Sequence, residues 1–581
     1  SKGDDIFTII SHTHCFANHI LAQSIDTPSV LLEYPRWEDF TKEVDKGYPI
    51  LGISAFPVHL DSVMKMCEYV RQRSPATRII LGSYAGQAFK AKYDVETQKK
   101  YVDEVVHGEG VKYLRRLLGE EPEGPVSQRL MPRAGGSPRY ITKYPKGAVA
   151  FLVSGLGCPG GCDFCATTAL FDKKRIELLT PEELVSHIAE YHEHFPQVSQ
   201  VFVVEEDHFR FPKYLERIQA YWENEPEVME SLDWLAFGSI DHIGAFAKEH
   251  GWDAILKLGI GAIFIGVESK FAGEHGYDKR DSIDARECFS RLHAMGVRTL
   301  GAWICGWDFH DHTNWQEDLN YFVSLYPTYQ QLTRLSPFPG TELWEKLREE
   351  ERVNEVPWED VHFWSGAQKN VNFETHETLN ITEYGYDLLY KTWGPSILRR
   401  LDVQLNGYQF CMQSPDAILR RHKSRFFKKQ SAMMWTQLRA MDRFAPNGVV
   451  RRRVRKVDEK YRQTIGEPTP AMEAMARGSE MLATTLKLRD MVEPFNYVPK
   501  EEPYKRYVYE KPANGGVPYR TEFPSGKDLK TRLSMGSESA RYAVLEAAIR
   551  GLRIGLGSKS DPEIDDHLIN LVKNRAWGFG F

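Results

Sequence analysis

The hydrophobic pattern changes character twice along the chain. From about residue 5 to 120, short apolar runs ("DIFTII", "SVLLEYP", "PILGISAF", "RIILGSYAG", "DEVVHGEG") alternate with helix-like stretches such as "HLDSVMKMCEYVRQR". Short strands separated by amphipathic helices predict an open parallel sheet with helices on its faces, a Rossmann-like α/β domain over 1–125. Pro, Gly and charge then gather in "GEEPEGPVSQRLMPRAGGSPRYITKYPKG", and residues 126–147 read as a linker. The strand–helix alternation restarts at Ala148 with "AVAFLVSG", "QVFVVEED", "LDWLAFGSID", "AIFIGVES", "TLGAWICGWD" and "YQQLTRLSPFPG". Six strand candidates, each ending in polar or glycine residues, predict a partial (β/α)6 barrel over 148–360. Beyond it the strand signals fade, and 361–581 read as a mainly helical, basic C-terminal region with a Pro-, Gly- and Tyr-rich tail.

Composition narrows the class. A chain of 581 residues is expected to form about two to four domains. With 42% hydrophobic and 27% charged residues and a mean hydropathy of −0.45, it reads as a soluble globular protein. No apolar run reaches the roughly 18 residues of a membrane span, and "SKGDDIFTII" lacks the apolar stretch of a signal peptide, so a cytoplasmic location is expected. Five cysteines, Cys15, Cys67, Cys288, Cys305 and Cys411, are scattered singly, which is not the spacing of a disulfide framework. The net charge of −6 conceals an asymmetry: Arg399 to Arg462 hold 17 Lys and Arg against 5 Asp and Glu. That region calls for an anionic neighbour.

The other three cysteines, Cys158, Cys162 and Cys165, stand together in "SGLGCPGGCDFCATTAL", directly after a strand candidate. Zinc, a redox pair and an iron–sulfur cluster are the chemistries open to such a group. Structural zinc wants four protein ligands, and no second Cys pair or close His follows. A redox pair needs only CxxC and leaves Cys158 idle. Three thiolates at C-x3-C-x2-C suit three irons of a [4Fe-4S] cube and leave the fourth iron without a protein ligand.

"CPGGCDFC" after a strand resembles the signature of the radical S-adenosylmethionine (SAM) superfamily. The resemblance implies that Cys158, Cys162 and Cys165 hold the cluster and that SAM chelates the fourth iron through its amino and carboxylate groups. It further implies that the reduced cluster cleaves SAM homolytically to a 5′-deoxyadenosyl radical. Phe164 matches the aromatic position of the loop, and Gly160 and Gly161 let it wrap closely. "VVEEDHF" resembles the acidic "DDTF" segment of many members and puts Glu206 and Asp207 at the SAM amino group, an ammonium that needs acceptors. "FGSID" offers Ser239 and Asp241, and "GVES" offers Glu268 and Ser269, for the carboxylate side and the ribose hydroxyls. "GAWICGW" and "SPFPGTELW" resemble the later strands, with Trp303 and Pro337 against the adenine.

The N-terminal part resembles the cobalamin-binding domain that precedes the barrel in one large class of that superfamily, including the bacteriochlorophyll cyclase and hopanoid-modifying groups. "PILGISAF" and "RIILGSYAG" match its third and fourth strands, and Ser54 with Gly82 and Ser83 approximates its SxL and GG pair. Gly108, Glu109 and Gly110 in "VVHGEGVKYL" match its "GEG" segment. Small residues there let the nucleotide tail of a base-off cobalamin slide between strand ends and helices. The DxHxxG loop that supplies an axial histidine in other cobalamin domains is missing, because residues 7 to 12 read "FTIISH". His12 and His14 nearby read as polar loop residues.

The C-terminal "SRFFKKQSAMMWTQLRAMDRF" sets Phe426, Phe427, Met434, Trp435, Leu438, Met441 and Phe444 against Arg425, Lys428, Lys429, Arg439 and Arg443. At helical period this is a basic amphipathic stretch, suited either to the surface of an anionic membrane or to packing on the barrel mouth with a solvated rim. No RNA-binding module accompanies the charge, which argues against nucleic acid. Asp308, His310 and His312 in "DFHDHTNW" read as a solvated loop rather than a metal site, and Cys305 and Cys411 as buried small apolar residues. The leading expectation is a cobalamin-type radical SAM enzyme that methylates or rearranges an unactivated carbon of an apolar or anionic substrate such as a lipid, with an electron donor such as flavodoxin or ferredoxin. A cobalamin-independent radical SAM enzyme forming C–C or C–S bonds comes second, and a non-catalytic metal-cluster scaffold binding an anionic partner third.

Overall fold

A computed structural model describes residues 3–12, 14–141, 147–276, 283–364, 366–492, 504–512, 516–522, 539–547 and 561–573. Much of the Pro-, Gly- and Tyr-rich tail lies outside them, as does the side chain of His12. The N-terminal strands are β1 (Ile9–His12), β2 (Ser29–Glu33), β3 (Ile50–Ser54), β4 (Arg78–Gly82), β5 (Glu104–Val105) and β6 (Gly135–Pro138). The central strands are β7 (Val149–Val153), β8 (Gly155–Leu156), β9 (Ile176–Glu177), β10 (Gln200–Val204), β11 (Asp233–Gly238), β12 (Ile260–Glu268), β13 (Arg298–Cys305) and β14 (Tyr329–Arg334), followed far downstream by β15 (Lys505–Tyr509) and β16 (Tyr519–Glu522).

β7, β10, β11, β12, β13 and β14 form one all-parallel sheet in that order. Each strand lies beside its predecessor, so the order never turns back as it does in a doubly wound sheet. Val201, Val203, Trp234, Ala236, Ile263, Ile265 and Trp303 face one way and share a core with Leu184, Leu215, Ile243, Phe289 and Phe322 of the intervening helices. The opposite face carries a ladder of rings, Phe151, Phe202, Phe237 and Phe264, with centroids 5.5, 5.5 and 5.1 Å apart. Helices on one face and an unbroken strand order make this a parallel half-barrel within a mixed α/β chain.

Both edges of the sheet are covered. The side-chain amide of Gln128 donates to the Val153 carbonyl at 2.8 Å and accepts from its N–H at 2.7 Å, and Ala134 bridges Val149. Residues read as a linker are thus largely buried along β7, because their amides complete its exposed ladder. At the far edge the Tyr386 hydroxyl pairs with both backbone groups of Leu332, and the Trp364 indole donates to the same carbonyl.

The N-terminal sheet differs from the continuous one expected. Only β3, β4 and β5 form a parallel sheet, while β1 pairs antiparallel with β6 and β2 antiparallel with β15. β2 therefore belongs to a three-stranded sheet with the β15–β16 hairpin, whose Tyr507 and Tyr509 bury Leu31. Apolar strand patterns report a buried strand but not its partner, and here the partners lie far away in sequence.

The basic C-terminal helices pack under the barrel, at the amino ends of its strands, and not on its mouth. Asp233 and Arg298 open β11 and β13, and one Arg298 nitrogen lies 2.8 and 2.9 Å from the two Asp233 oxygens. Lys423 comes within 3.9 Å of Asp233, Arg399 donates to the Pro327 carbonyl and Gln330 at 2.7 Å each, and all of these side chains are buried. The amphipathic stretch offers no free apolar face: Phe426, Phe427, Met434, Trp435, Leu438 and Met441 are buried. Its basic rim is matched by carboxylates, Arg425 with Glu230, Lys428 with Asp561, Lys429 with Glu563, and Arg439 and Arg443 with Glu480. Among the described residues no helix is long and apolar enough to cross a membrane.

Replacing Asp233 by Leu strands Arg298 and Lys423 in the core without a counter-charge. Urea denaturation of Asp233→Leu is expected to show a loss of about 3–5 kcal/mol relative to the unaltered chain, and an unchanged midpoint would contradict this role.

Candidate active site

β7 runs out at Val153 and the cysteine loop begins. β8 and β9 clamp its base as a short antiparallel pair, and Gly157, at φ +78°, sits so tightly that a Cβ would lie 2.1 Å from the Lys174 carbonyl oxygen. Only glycine fits that turn. Cys158, Cys162 and Cys165 are all unbridged and half-buried. The Gly160 N–H donates to Cys158 Sγ at 3.2 Å. Burial raises the Cys158 thiol, while that amide and the nearby Arg210 favour its thiolate. Phe164 packs edge-on to Trp307 with centroids 5.3 Å apart, and the Leu343 N–H donates to the Asp163 carbonyl at 3.0 Å, so the loop is anchored beyond the ends of β13 and β14.

Three consecutive carboxylates after β10 have different environments. Glu205 is buried and engaged by Arg175 and by the Ser154 hydroxyl at 2.6 Å, a structural role. Asp207 accepts from Ser239 Oγ at 3.0 Å and lies 2.6 Å from His242 Nδ1. Burial by itself would raise its carboxyl, yet the His242 ring and the Ser239 hydroxyl hold it below the usual range. Glu206 is the exception. Its Oε2 is buried without a partner, and burial, aided by the Glu205 charge, pushes its carboxyl up to about 7. Thr167, two residues beyond Cys165, interacts with Glu206 and holds Tyr84 at 2.8 Å.

The remaining expected SAM contacts divide. Ser239 joins Asp207, and Asp241 lies half-buried in the first turn of the helix Ile240–His250. Glu268 ends β12 at a bulge, with φ +59°, and a Cβ on Gly266 would meet its Oε1 at 2.3 Å. A non-glycine residue in that conformation is strained, as residues of binding sites often are. Pro337 is buried just after β14. Trp303 is corrected: it points to the helix layer, where its indole donates to Asp318 at 3.1 Å, because it sits one residue out of phase with the concave face. Ser269 is likewise fully buried, with its hydroxyl 3.4 Å from His310 Nε2. His310 itself is drawn inward by Asp318 at 2.8 Å, not solvated, whereas Asp308 pairs with Arg352 and His312 is exposed. Cys305 and Cys411 are buried, as expected.

The carboxyl ends of β3, β4 and β5 abut the cysteine loop. Ser54 ends β3, Gly82 ends β4 with open space where a Cβ would point, and Ser83 follows at φ +63°. Phe56 and Tyr84 stack with centroids 5.5 Å apart over this edge. Gly108, at φ +82°, places a virtual Cβ 3.9 Å from the Leu170 carbonyl, and His107 lies 3.3 Å from Asp172. Glu109 caps the helix Gly110–Leu118 by accepting from Val111 and Lys112, and Gly110 is tight against Leu21. His14 is no surface residue: it is buried against Glu33. Tyr84, Thr167, Arg210 and His242 were not singled out from the sequence. His242 alone left a signal, three residues after Ser239 on the same helix start.

No family model matches the chain. A protein of Pyrococcus horikoshii named as an uncharacterised methyltransferase is 22% identical over 311 residues, which are 51% of this chain and 65% of that protein. The match thus spans slightly less than two thirds of that relative. Two solved structures of the radical SAM methyltransferase TsrM of Kitasatospora setae align at 11% identity with TM-scores of 0.42 and 0.43. They cover 68% and 74% of this chain and 91% of TsrM, one with cobalamin and a [4Fe-4S] cluster bound, the other with tryptophan and the SAM analogue aza-SAM. A likeness that loose transfers neither fold nor chemistry.

Glu206 gives the ligand-free chain a pH signature. Its folded carboxyl titrates above its unfolded value of 4.5, so stability is full below about 4.5 and falls as pH rises to about 7. The loss is on the order of 1–3 kcal/mol, and Glu206→Gln is expected to remove it, measured by urea unfolding at both ends of that window. Equal slopes in the two proteins would refute the assignment.

Proposed function

We propose that the chain is a radical SAM enzyme that uses cobalamin to methylate or rearrange an unactivated carbon. One observation carries the reading: a buried carboxylate oxygen without a partner, on Glu206, beside a loop that offers three thiols and no fourth cysteine. A buried acceptor of that kind fits a cationic ligand, and the ammonium of SAM is one. When bound, a three-thiolate [4Fe-4S] cluster supplies the electron that cleaves SAM, and cobalamin supplies a methyl carrier. Cys158, Cys162 and Cys165 would hold the cluster, the Gly160 amide favouring thiolate at Cys158. Glu206, with Asp207 and Ser239, would orient the methionine end, while Asp241 and Glu268 stand at the neighbouring strand ends for the carboxylate side and the ribose.

Ser54, Gly82, Ser83 and Gly108 would take the cobalamin, since the strand ends that carry them face the cysteine loop across the Tyr84–Thr167 bond. Phe202, Phe237 and Phe264 give the barrel an apolar concave wall, with Phe151 at its edge covered by Phe16, and such a wall suits an apolar substrate and keeps water from a reactive intermediate. The description of the distant Pyrococcus relative as a methyltransferase agrees with methyl transfer. An external one-electron donor such as flavodoxin or ferredoxin completes the reading. One observation favours a second version without cobalamin: β1 and β2 have left the N-terminal sheet for β6 and β15, so that sheet is a smaller platform than a Rossmann-like domain supplies.

Anaerobically prepared chain is expected to carry about four irons and to release 5′-deoxyadenosine from SAM, with each of Cys158→Ala, Cys162→Ala and Cys165→Ala lowering release by about 100-fold or more. Full release from any of these variants would end the proposal. Gly82→Phe tests the cofactor question, because its side chain enters open space and leaves the protein core intact. It is expected to abolish the corrinoid absorption of the reconstituted chain while iron content stays unchanged; a chain that never takes up corrinoid supports the cobalamin-free version.

A further inference from the structure

His14, His19 and Glu33 take no part in the chemistry above, yet they form a compact buried cluster. His14 lies in the loop after β1, His19 in the helix Phe16–Gln23 and Glu33 at the end of β2, and one donor atom of each lies within 4.8 Å of the others. His14 Nδ1 is 2.7 Å from Glu33 Oε2, and His19 Nε2 is 3.0 Å from Glu33 Oε1. The two rings make a T-shaped contact with centroids 5.8 Å apart.

The hydrogens around His14 expose a conflict. Its Nε2 stands 3.1 Å from the Arg133 carbonyl, which can only accept, so that nitrogen carries the hydrogen. In a neutral ring Nδ1 then aims a lone pair at a carboxylate, and two acceptors face each other inside the protein. Something positive belongs between them, either a second proton on the ring or a metal ion. A divalent ion suits the whole cluster. It would take Nδ1 of His14, Nε2 of His19 and the Glu33 carboxylate, leaving Nε2–H of His14 on the Arg133 carbonyl and Nδ1–H of His19 on the Tyr509 hydroxyl. Metal-bound histidines characteristically donate their second nitrogen to such outer acceptors. The Cys15 N–H, 2.9 Å from Glu33 Oε1, steadies the carboxylate. Two imidazoles and one carboxylate, with a fourth position left for water, is a set that zinc accepts.

We propose that His14, His19 and Glu33 form a buried zinc-type metal site that fastens the loop after β1 to β2 and, through Tyr509, to the distant strand β15. The site is independent of the cysteine loop and of the activity assigned above. It also gives β15 a reason to displace an N-terminal neighbour beside β2, since Tyr507 and Tyr509 roof the cluster.

The test uses the full chain with Cys158, Cys162 and Cys165 all changed to Ala, so that zinc has no place at the loop. Incubated with zinc chloride and desalted, it is expected to retain about one zinc per chain by elemental analysis, and to lose it when Glu33→Gln and His19→Ala are added. Cobalt(II) in place of zinc is expected to give the visible absorption of a four- or five-coordinate nitrogen–oxygen site. Retention of less than about a fifth of a zinc per chain, or zinc that survives both added substitutions, overturns the proposal. If the added substitutions unfold the chain, the cobalt spectrum of the folded background decides alone, and absence of those bands overturns the proposal. Zinc retained by a chain whose unaltered form cleaves no SAM would separate this site's success from failure of the enzymatic reading.

Discussion

Six parallel strands laid side by side in chain order impose the constraint on which the candidate site depends. Parallel pairing points every strand the same way, so the loops after β7, β10, β11 and β12 emerge on one rim. The cysteines come after β7, Glu206 and Asp207 after β10 and Ser239 after β11, and Glu268 is the last residue of β12. The other end of the barrel is closed by charge. Asp233 and Arg298 pair at the starts of β11 and β13, and from the C-terminal helices Lys423 approaches Asp233 while Arg399 binds Gln330 near the start of β14. Of the basic side chains between Arg399 and Arg462, Arg399, Arg400 and Lys423 are buried beneath the barrel, and the rest lie partly or fully at the surface, several of them paired with carboxylates.

Within the rim, neighbouring side chains of the same chemistry are set apart by what surrounds them. Glu205 has an arginine and a serine, Asp207 a histidine and a serine, and Glu206 lacks a cation of its own. Environment, not residue type, separates a structural carboxylate from one available to a ligand. The Tyr84–Thr167 bond ties the end of β4 in the N-terminal sheet to the helix that follows the cysteine loop.

The barrel was legible because each of its strands is a nearly continuous apolar run ending in polar residues, and because three cysteines in a glycine-rich loop leave few chemistries open. Pairing was not legible. β2 reads as the strand of a parallel sheet, but Tyr507 and Tyr509 bury its face from almost the other end of the chain. Trp303 misled because "GAWICGW" does not reveal which of two alternating faces a residue takes. His310 misled because a run of Asp, His, Thr and Asn resembles a solvated loop until Asp318, eight residues later, supplies a buried partner. His14 misled in the same way, its carboxylate lying on the next strand.

The proposed function requires that Cys158, Cys162 and Cys165 be the protein ligands of the cluster and that one iron stay open to SAM beside Glu206. Mössbauer spectra of the iron-loaded chain, recorded with and without SAM, test it most directly. With three thiolate ligands, SAM is expected to shift the signal of a single iron site toward higher coordination and leave the others unchanged. Four sites indifferent to SAM, or a loop that holds zinc and no iron, would contradict it.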